Sequence, residues 1–177
     1  MTTMSETNAT TPTEPPLQTV QVYRVYIRAT PEAIWEAITT PEWTERYGYG
    51  GRGVYDGLRP GSSYHGYTSE VMRAVGAPDL GIDGEVIEAD PPRLLVQTWR
   101  MVMDEAMASE GFTRLTYEIE PADGGVTKLT VTHDLTGAPK LQLLMSGGME
   151  SGGAGGGWSW VLSDLKTVLE TGSGLAG

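Results

Sequence analysis

The chain of 177 residues has no cysteine and only two histidines. The first absence removes disulfides and thiolate metal sites. The second leaves His65 and His133 with no carboxylate at helical spacing from either, so no metal site is expected. Basic residues are scarce as well: 12 Lys and Arg stand against 23 Asp and Glu, a net charge of −11. That balance disfavours sequence-independent attraction to nucleic acid or to an anionic membrane. No stretch approaches the roughly 20 continuous apolar residues of a membrane span. Residues 1–16, "MTTMSETNATTPTEPP", have neither a basic start nor a hydrophobic run, so they read as a disordered tail and not a secretion signal. With no signal and no cysteine, the expected location is cytoplasmic. No Ser sits in a Gly-x-Ser-x-Gly elbow, so no catalytic residue is assigned. No cofactor is expected.

What is present is an ordered set of local signals. "VQVYRVYIRA" alternates apolar and mixed side chains as a strand does. "TPEAIWEAIT" opens with Thr30 as N-cap, Pro31 at the first helical position and Glu32 in the first turn. Ala33, Ile34, Ala37 and Ile38 then form one face of a short helix. "TPEWTERYGYGG" reads as a turn or second short helix stopped by its glycines. From residue 53 to 135 strands alternate with turn chemistry, including an Asp-Pro-Pro corner and an Ala-Asp-Gly-Gly hairpin, which predicts a largely antiparallel sheet. Trp158, Val161, Leu162, Leu165, Val168 and Leu169 make one apolar stripe on a C-terminal helix. Residues 17–171 are expected as a single domain, and 172–177 as a flexible C-terminus. The predicted class is α+β, a curved sheet around the terminal helix with room for a cavity between them.

Seven of the eleven residues from 147 to 157 are glycine. A phosphate loop would carry Gly-Lys-Ser or Gly-Lys-Thr entering a helix, and no Lys occurs here before Lys166. The segment reads as a hinge, either a lid over one mouth of the cavity or a passive loop. Met101, Met103, Met107, Met145 and Met149 lie in the two segments expected to flank the entrance, where adaptable thioethers suit apolar binding or simple gap-filling. Arg100 and Asp104 are expected as a surface ion pair of little energetic weight.

The blocks "TPEAIWEAIT", "LRPGSSY", "GEVIEADPPRLLVQTW", "TRLTYEIEPADGGVTKLTVTH" and "GGGWSWVLSDLKTVLE", in that order, resemble the START-like (SRPBCC) superfamily, in the branch similar to the activator of the heat-shock protein 90 ATPase. The likeness runs from about Gln21 to Glu170. It implies a helix-grip fold: a curved antiparallel sheet wrapped around a long C-terminal helix, with two short helices after the first strand. The chain departs from the branch in having "RYGYGG" where a paired tryptophan is usual, and in its glycine-rich approach to the last helix.

The resemblance also assigns faces. Leu95, Gln97 and Trp99, then Leu115, Tyr117 and Ile119, then Leu129, Val131 and His133 point inward, with Tyr64 and Gly66 on an earlier strand of the wall. The candidate ligand-binding residues are therefore Tyr64, Gln97, Trp99, Tyr117, His133, Met145, Met149 and Trp158. For Gln97 and His133 the alternative is a purely structural hydrogen bond, for His133 to the helix or to Tyr117. Relatives of this superfamily include lipid carriers, co-chaperones, aromatase and cyclase domains and self-resistance proteins of antibiotic producers, so fold alone does not choose among them. The favoured reading is a protein that binds an apolar, aromatic or polycyclic small molecule as a carrier or self-resistance protein. The alternatives are an interaction module with a protein partner such as a chaperone, and an aromatase- or cyclase-like enzyme.

Overall fold

A computed structural model describes residues 19–176; the tail expected over residues 1–16 lies outside them. β1 (Val20–Ile27) leads into α1 (Pro31–Thr39) and the single turn α2 (Pro41–Thr44). β2 (Arg52–Tyr55) and β3 (Ser63–Tyr67) follow, then α3 (Glu70–Ala74), β4 (Leu80–Asp90), β5 (Leu94–Met101) and α4 (Glu105–Ala108). β6 (Thr113–Pro121) and β7 (Thr127–Asp134) form the last hairpin, before α5 (Pro139–Met145) and the long α6 (Gly157–Thr171). The strands make one curved, unclosed antiparallel sheet in the order β1-β7-β6-β5-β4-β3-β2. This is the α+β, helix-grip arrangement the sequence predicts. Among the described residues no helix is long and apolar enough to cross a membrane.

Local chemistry explains the helices. Thr30 caps α1 by accepting from the Ala33 N–H at 3.2 Å, and Ile34, Ala37 and Ile38 are the buried face. The short α3, α4 and α5 are not anticipated from sequence, because each is too brief for apolar periodicity to register. They carry capping signals instead. Ser69 accepts from Met72 N–H (3.3 Å), Asp104 from Met107 N–H (2.9 Å), and the Glu110 carboxylate from Lys140 and Leu141 N–H (2.9 and 3.2 Å). Asp104 is thereby occupied, and Arg100 pairs with Asp83, directly across the β4–β5 ladder, through two bonds of 3.0 and 2.6 Å. The expected Arg100–Asp104 pair is thus replaced.

On α6 the buried stripe is Trp158, Leu162, Leu165 and Val168. Gly157 opens the helix at φ +62°, and a Cβ there would sit 2.2 Å from the Met145 carbonyl oxygen. Only glycine allows α6 to begin so close to the end of α5. Asp164 is also buried, and its carboxylate accepts from Gly48 N–H (2.8 Å) and Leu175 N–H (2.6 Å). One side chain therefore ties both the "RYGYGG" loop and residue 175 to α6. Within residues 172–177, expected as a flexible C-terminus, Leu175 is bonded back to the helix in this way.

Candidate functional site

Period-2 alternation brings the nine expected side chains of β5, β6 and β7 to the inner face, all buried or half-buried. On the β7 side this face is closed by hydrogen bonds. The Trp158 indole N–H donates to His133 Nδ1 at 3.1 Å. Indole is only a donor, so Nδ1 is the acceptor and His133 carries its proton on Nε2, 2.8 Å from Thr113 Oγ1. Thr113 in turn donates to the Trp99 carbonyl at 2.9 Å. Burial pushes the His133 pKa down from 6.5 to about 3, so the ring is neutral. Trp99, Trp158 and Tyr117 meet this cluster edge to face, with centroid distances of 5.3 to 6.2 Å. Both imidazole nitrogens are used within the fold, which makes His133 a pin between β7 and α6.

The other half of the face stays open. Between α6, the "RYGYGG" loop and strands β2 to β6 lies a cavity of about 400 Å³. Its deep wall is Trp99, Met101, Tyr117, Met145 and Trp158; its outer rim includes the exposed Tyr49, Arg52, Tyr67 and Ala154. Tyr47, Tyr55 and Tyr64 complete an unusually phenolic lining, six of the eight tyrosines in the chain. Gly66 lies on the wall where a Cβ would meet Ile82 at 3.0 Å and the Tyr64 hydroxyl at 3.3 Å. A side chain there would take up cavity space. The rim is held by the Asp164 bond to Gly48, by the Trp160 indole N–H to the Gly48 carbonyl (3.0 Å), and by the Gly157 N–H to the Tyr49 hydroxyl (3.0 Å).

Gln97 sits one layer behind this wall, 1% exposed. Its Oε1 accepts from the Tyr55 hydroxyl at 2.5 Å, while its Nε2 has no partner. Such an orphan typically costs about 1 to 3 kcal/mol. Burial, reinforced by neighbouring phenols, raises the pKa of Tyr55 and Tyr117 well above the ordinary value, and burial lifts Tyr64 to about 12. All these hydroxyls are therefore protonated donors near neutral pH.

Of the eight residues proposed from sequence, Tyr64, Trp99, Tyr117, Met145 and Trp158 line the cavity. Gln97 and His133 do not reach it, because Tyr55 and Trp158 stand in contact with them. Met149 is absent from the lining as well: its segment closes into a tight turn of its own, with its carbonyl accepting from Gly152 and Ala154 N–H. Met101 and Met103 also line the cavity, whereas Met107 does not. Tyr47, Tyr49, Tyr55, Tyr67 and Met72 are wall residues that sequence reasoning missed. The available signal was the clustering of tyrosine with glycine in "RYGYGG", read only as a helix stop, and in "GVYDG", which drew no reading of its own.

A curved antiparallel sheet gripping a C-terminal helix, with an aromatic-walled cavity between them, defines a protein of the START-like class. The model of one family, Activator of Hsp90 ATPase homolog 1-like protein, matches residues 28–170. The chain belongs to that family. No curated protein matches it. Many solved structures share the fold, among them the following three. A Mesorhizobium loti protein is 20% identical, with a TM-score of 0.60, over 85% of this chain and 96% of its own. The Aha1 dimer from Colwellia psychrerythraea is 20% identical, with a TM-score of 0.55, over 88% and 98%. DynU16, a protein in the dynemicin biosynthetic locus, is 19% identical, with a TM-score of 0.57, over 89% of this chain and 49% of its own.

Proposed function

We propose that the chain binds an apolar, aromatic or polycyclic small molecule in the cavity between sheet and α6, as a carrier or a self-resistance protein. The observation that carries this reading is the void itself: about 400 Å³, walled by six tyrosines and two tryptophans, with methionines at its base. Ligand sites typically span roughly 300 to 1,000 Å³ and are mostly apolar, with few polar groups. A protein whose core served only packing would fill such a space, since interiors reach crystal-like density. The likeness to DynU16, a protein in the dynemicin biosynthetic locus, is compatible with a small-molecule role. The test is a titration of the isotopically labelled protein, followed by amide and indole NMR, with fatty acids, flavonoids and polycyclic aromatics. Saturable shifts with the aromatics support the reading; no shift with any compound ends it.

The family match favours a second reading, a module acting on a chaperone. It predicts that the chain accelerates ATP hydrolysis by heat-shock protein 90. An unchanged rate, together with no complex by sedimentation, would remove it.

A further inference from the structure

Phenols are the commonest polar groups of the cavity, beside Thr44, Thr68, Arg52 and the indoles of Trp99 and Trp158, and the phenols are not equally occupied. Tyr47 donates to the Ala37 carbonyl at 3.0 Å, and Tyr55 donates to Gln97. The hydroxyls of Tyr64 and Tyr117 make no hydrogen bond among the described residues. Neither is sealed off: among the described residues the one fully buried side-chain polar atom without a partner is Gln97 Nε2. Both oxygens therefore keep some accessible surface, and both side chains are on the cavity wall. Tyr64 comes from β3, its ring 4.6 Å from that of Tyr55; Tyr117 comes from β6, edge to face with Trp158. Two strands on different parts of the sheet thus place unspent donors on the wall of one cavity. A donor in an apolar enclosure needs an acceptor.

Charge narrows what that acceptor is. Arg52 is the only charged residue on the lining; it is exposed at the rim and 3.8 Å from Glu45. Nothing deep in the cavity would offset a buried anion or cation, and an unpaired buried charge is strongly disfavoured. We propose that the Tyr64 and Tyr117 hydroxyls form a donor subsite for the carbonyl oxygen of an uncharged aromatic ketone or quinone. Gln97 supports the subsite from behind by fixing Tyr55, against which Tyr64 stacks. The proposal rests on the reading that the cavity takes an aromatic molecule, and adds which one.

Matched probes separate the two ideas. Fluorene and fluorenone have the same three-ring outline and differ by one carbonyl; fluorene-9-carboxylate adds a negative charge at neutral pH. In calorimetric titrations of the full chain, fluorenone should bind about tenfold more tightly than fluorene, the ratio one good hydrogen bond provides. The carboxylate should bind most weakly. In the Tyr64→Phe, Tyr117→Phe double variant, fluorenone should fall to the level of fluorene while fluorene affinity holds, which also reports that the cavity is intact. Each single variant should lose part of the preference, and they decide the matter if the double variant fails to fold. Equal binding of fluorene and fluorenone to the wild-type chain, or a preference that survives both substitutions, overturns the subsite and leaves the cavity reading standing. If wild-type protein binds neither probe, the subsite and the cavity reading fall together.

Discussion

The two halves of the inner face are built by the same alternation and end in opposite states. On the β7 half, Trp158, His133 and Thr113 form a hydrogen-bonded chain that ends on the Trp99 carbonyl and occupies both imidazole nitrogens, the Thr113 hydroxyl and the Trp158 indole N–H. On the cavity side, Tyr64 of β3 and Tyr117 of β6 keep free hydroxyls beside a void, and Gln97 of β5 keeps a free amide nitrogen behind its wall. A fold needs one half satisfied to hold α6 in place. Unsatisfied groups persist where something else answers them, and in this molecule two of them, the Tyr64 and Tyr117 hydroxyls, belong to the cavity wall.

The largest way to break the contrast is to remove the pin. Trp158→Ala should lower the free energy of unfolding by about 3 to 5 kcal/mol, since it deletes a buried aromatic and strands His133 Nδ1. Urea denaturation measures this directly. A loss below 1 kcal/mol would mean that α6 is held mainly by its other contacts.

A smaller effect sharpens the same half. His133 has a folded pKa of about 3, below its unfolded 6.5. As pH falls below 6.5, the unfolded chain takes up a proton that the folded ring refuses, so the folded state is progressively disfavoured. Stability should drop by about 1.4 kcal/mol per pH unit from this residue and level off near pH 3. Comparing urea midpoints at pH 7, 6 and 5, the wild type should show a slope that His133→Phe lacks, whatever the variant's absolute stability. Identical slopes would mean that the ring is protonated in the fold.

The smallest expected change lies on the open half. Gln97→Leu removes the orphan nitrogen and frees the Tyr55 hydroxyl toward the cavity, where water can reach it. The melting temperature should stay level or rise, corresponding to about 1 kcal/mol or less. A clear fall would show that the bond between Gln97 and Tyr55 outweighs the orphan.

Most of the fold was legible because its signals are local or periodic. The Thr30-Pro31 start, the Ala-Asp-Gly-Gly hairpin and the stripe from Trp158 to Leu169 each declare their element. α3, α4 and α5 were not legible, because a helix of one or two turns is set by a cap and by what packs on it, and neither shows as a period. The closed half of the site was half-read: alternation placed His133 inward, but its partner Trp158 stands on another element, 25 residues on. The phenolic wall was read least. Tyr47 and Tyr49 reach the cavity because Asp164 and Trp160 fold their loop onto α6, and no spacing within "RYGYGG" encodes a contact with a helix more than 100 residues away. Met149 and Gln97 show the converse. Composition and alternation gave their neighbourhood, but a tight turn and an intervening tyrosine decided what reaches the void.

The central claim is that one half of the face is open to a ligand and the other is closed. The most direct measurement is the amide NMR spectrum of the protein saturated with an aromatic ligand such as fluorenone. The account predicts shifts at Gly48, Gly53 and Gly66, which border the cavity, with Leu129 and Val131 on the closed half unmoved. A spectrum unchanged throughout, or shifts at Leu129 and Val131 without those at the cavity glycines, would contradict it.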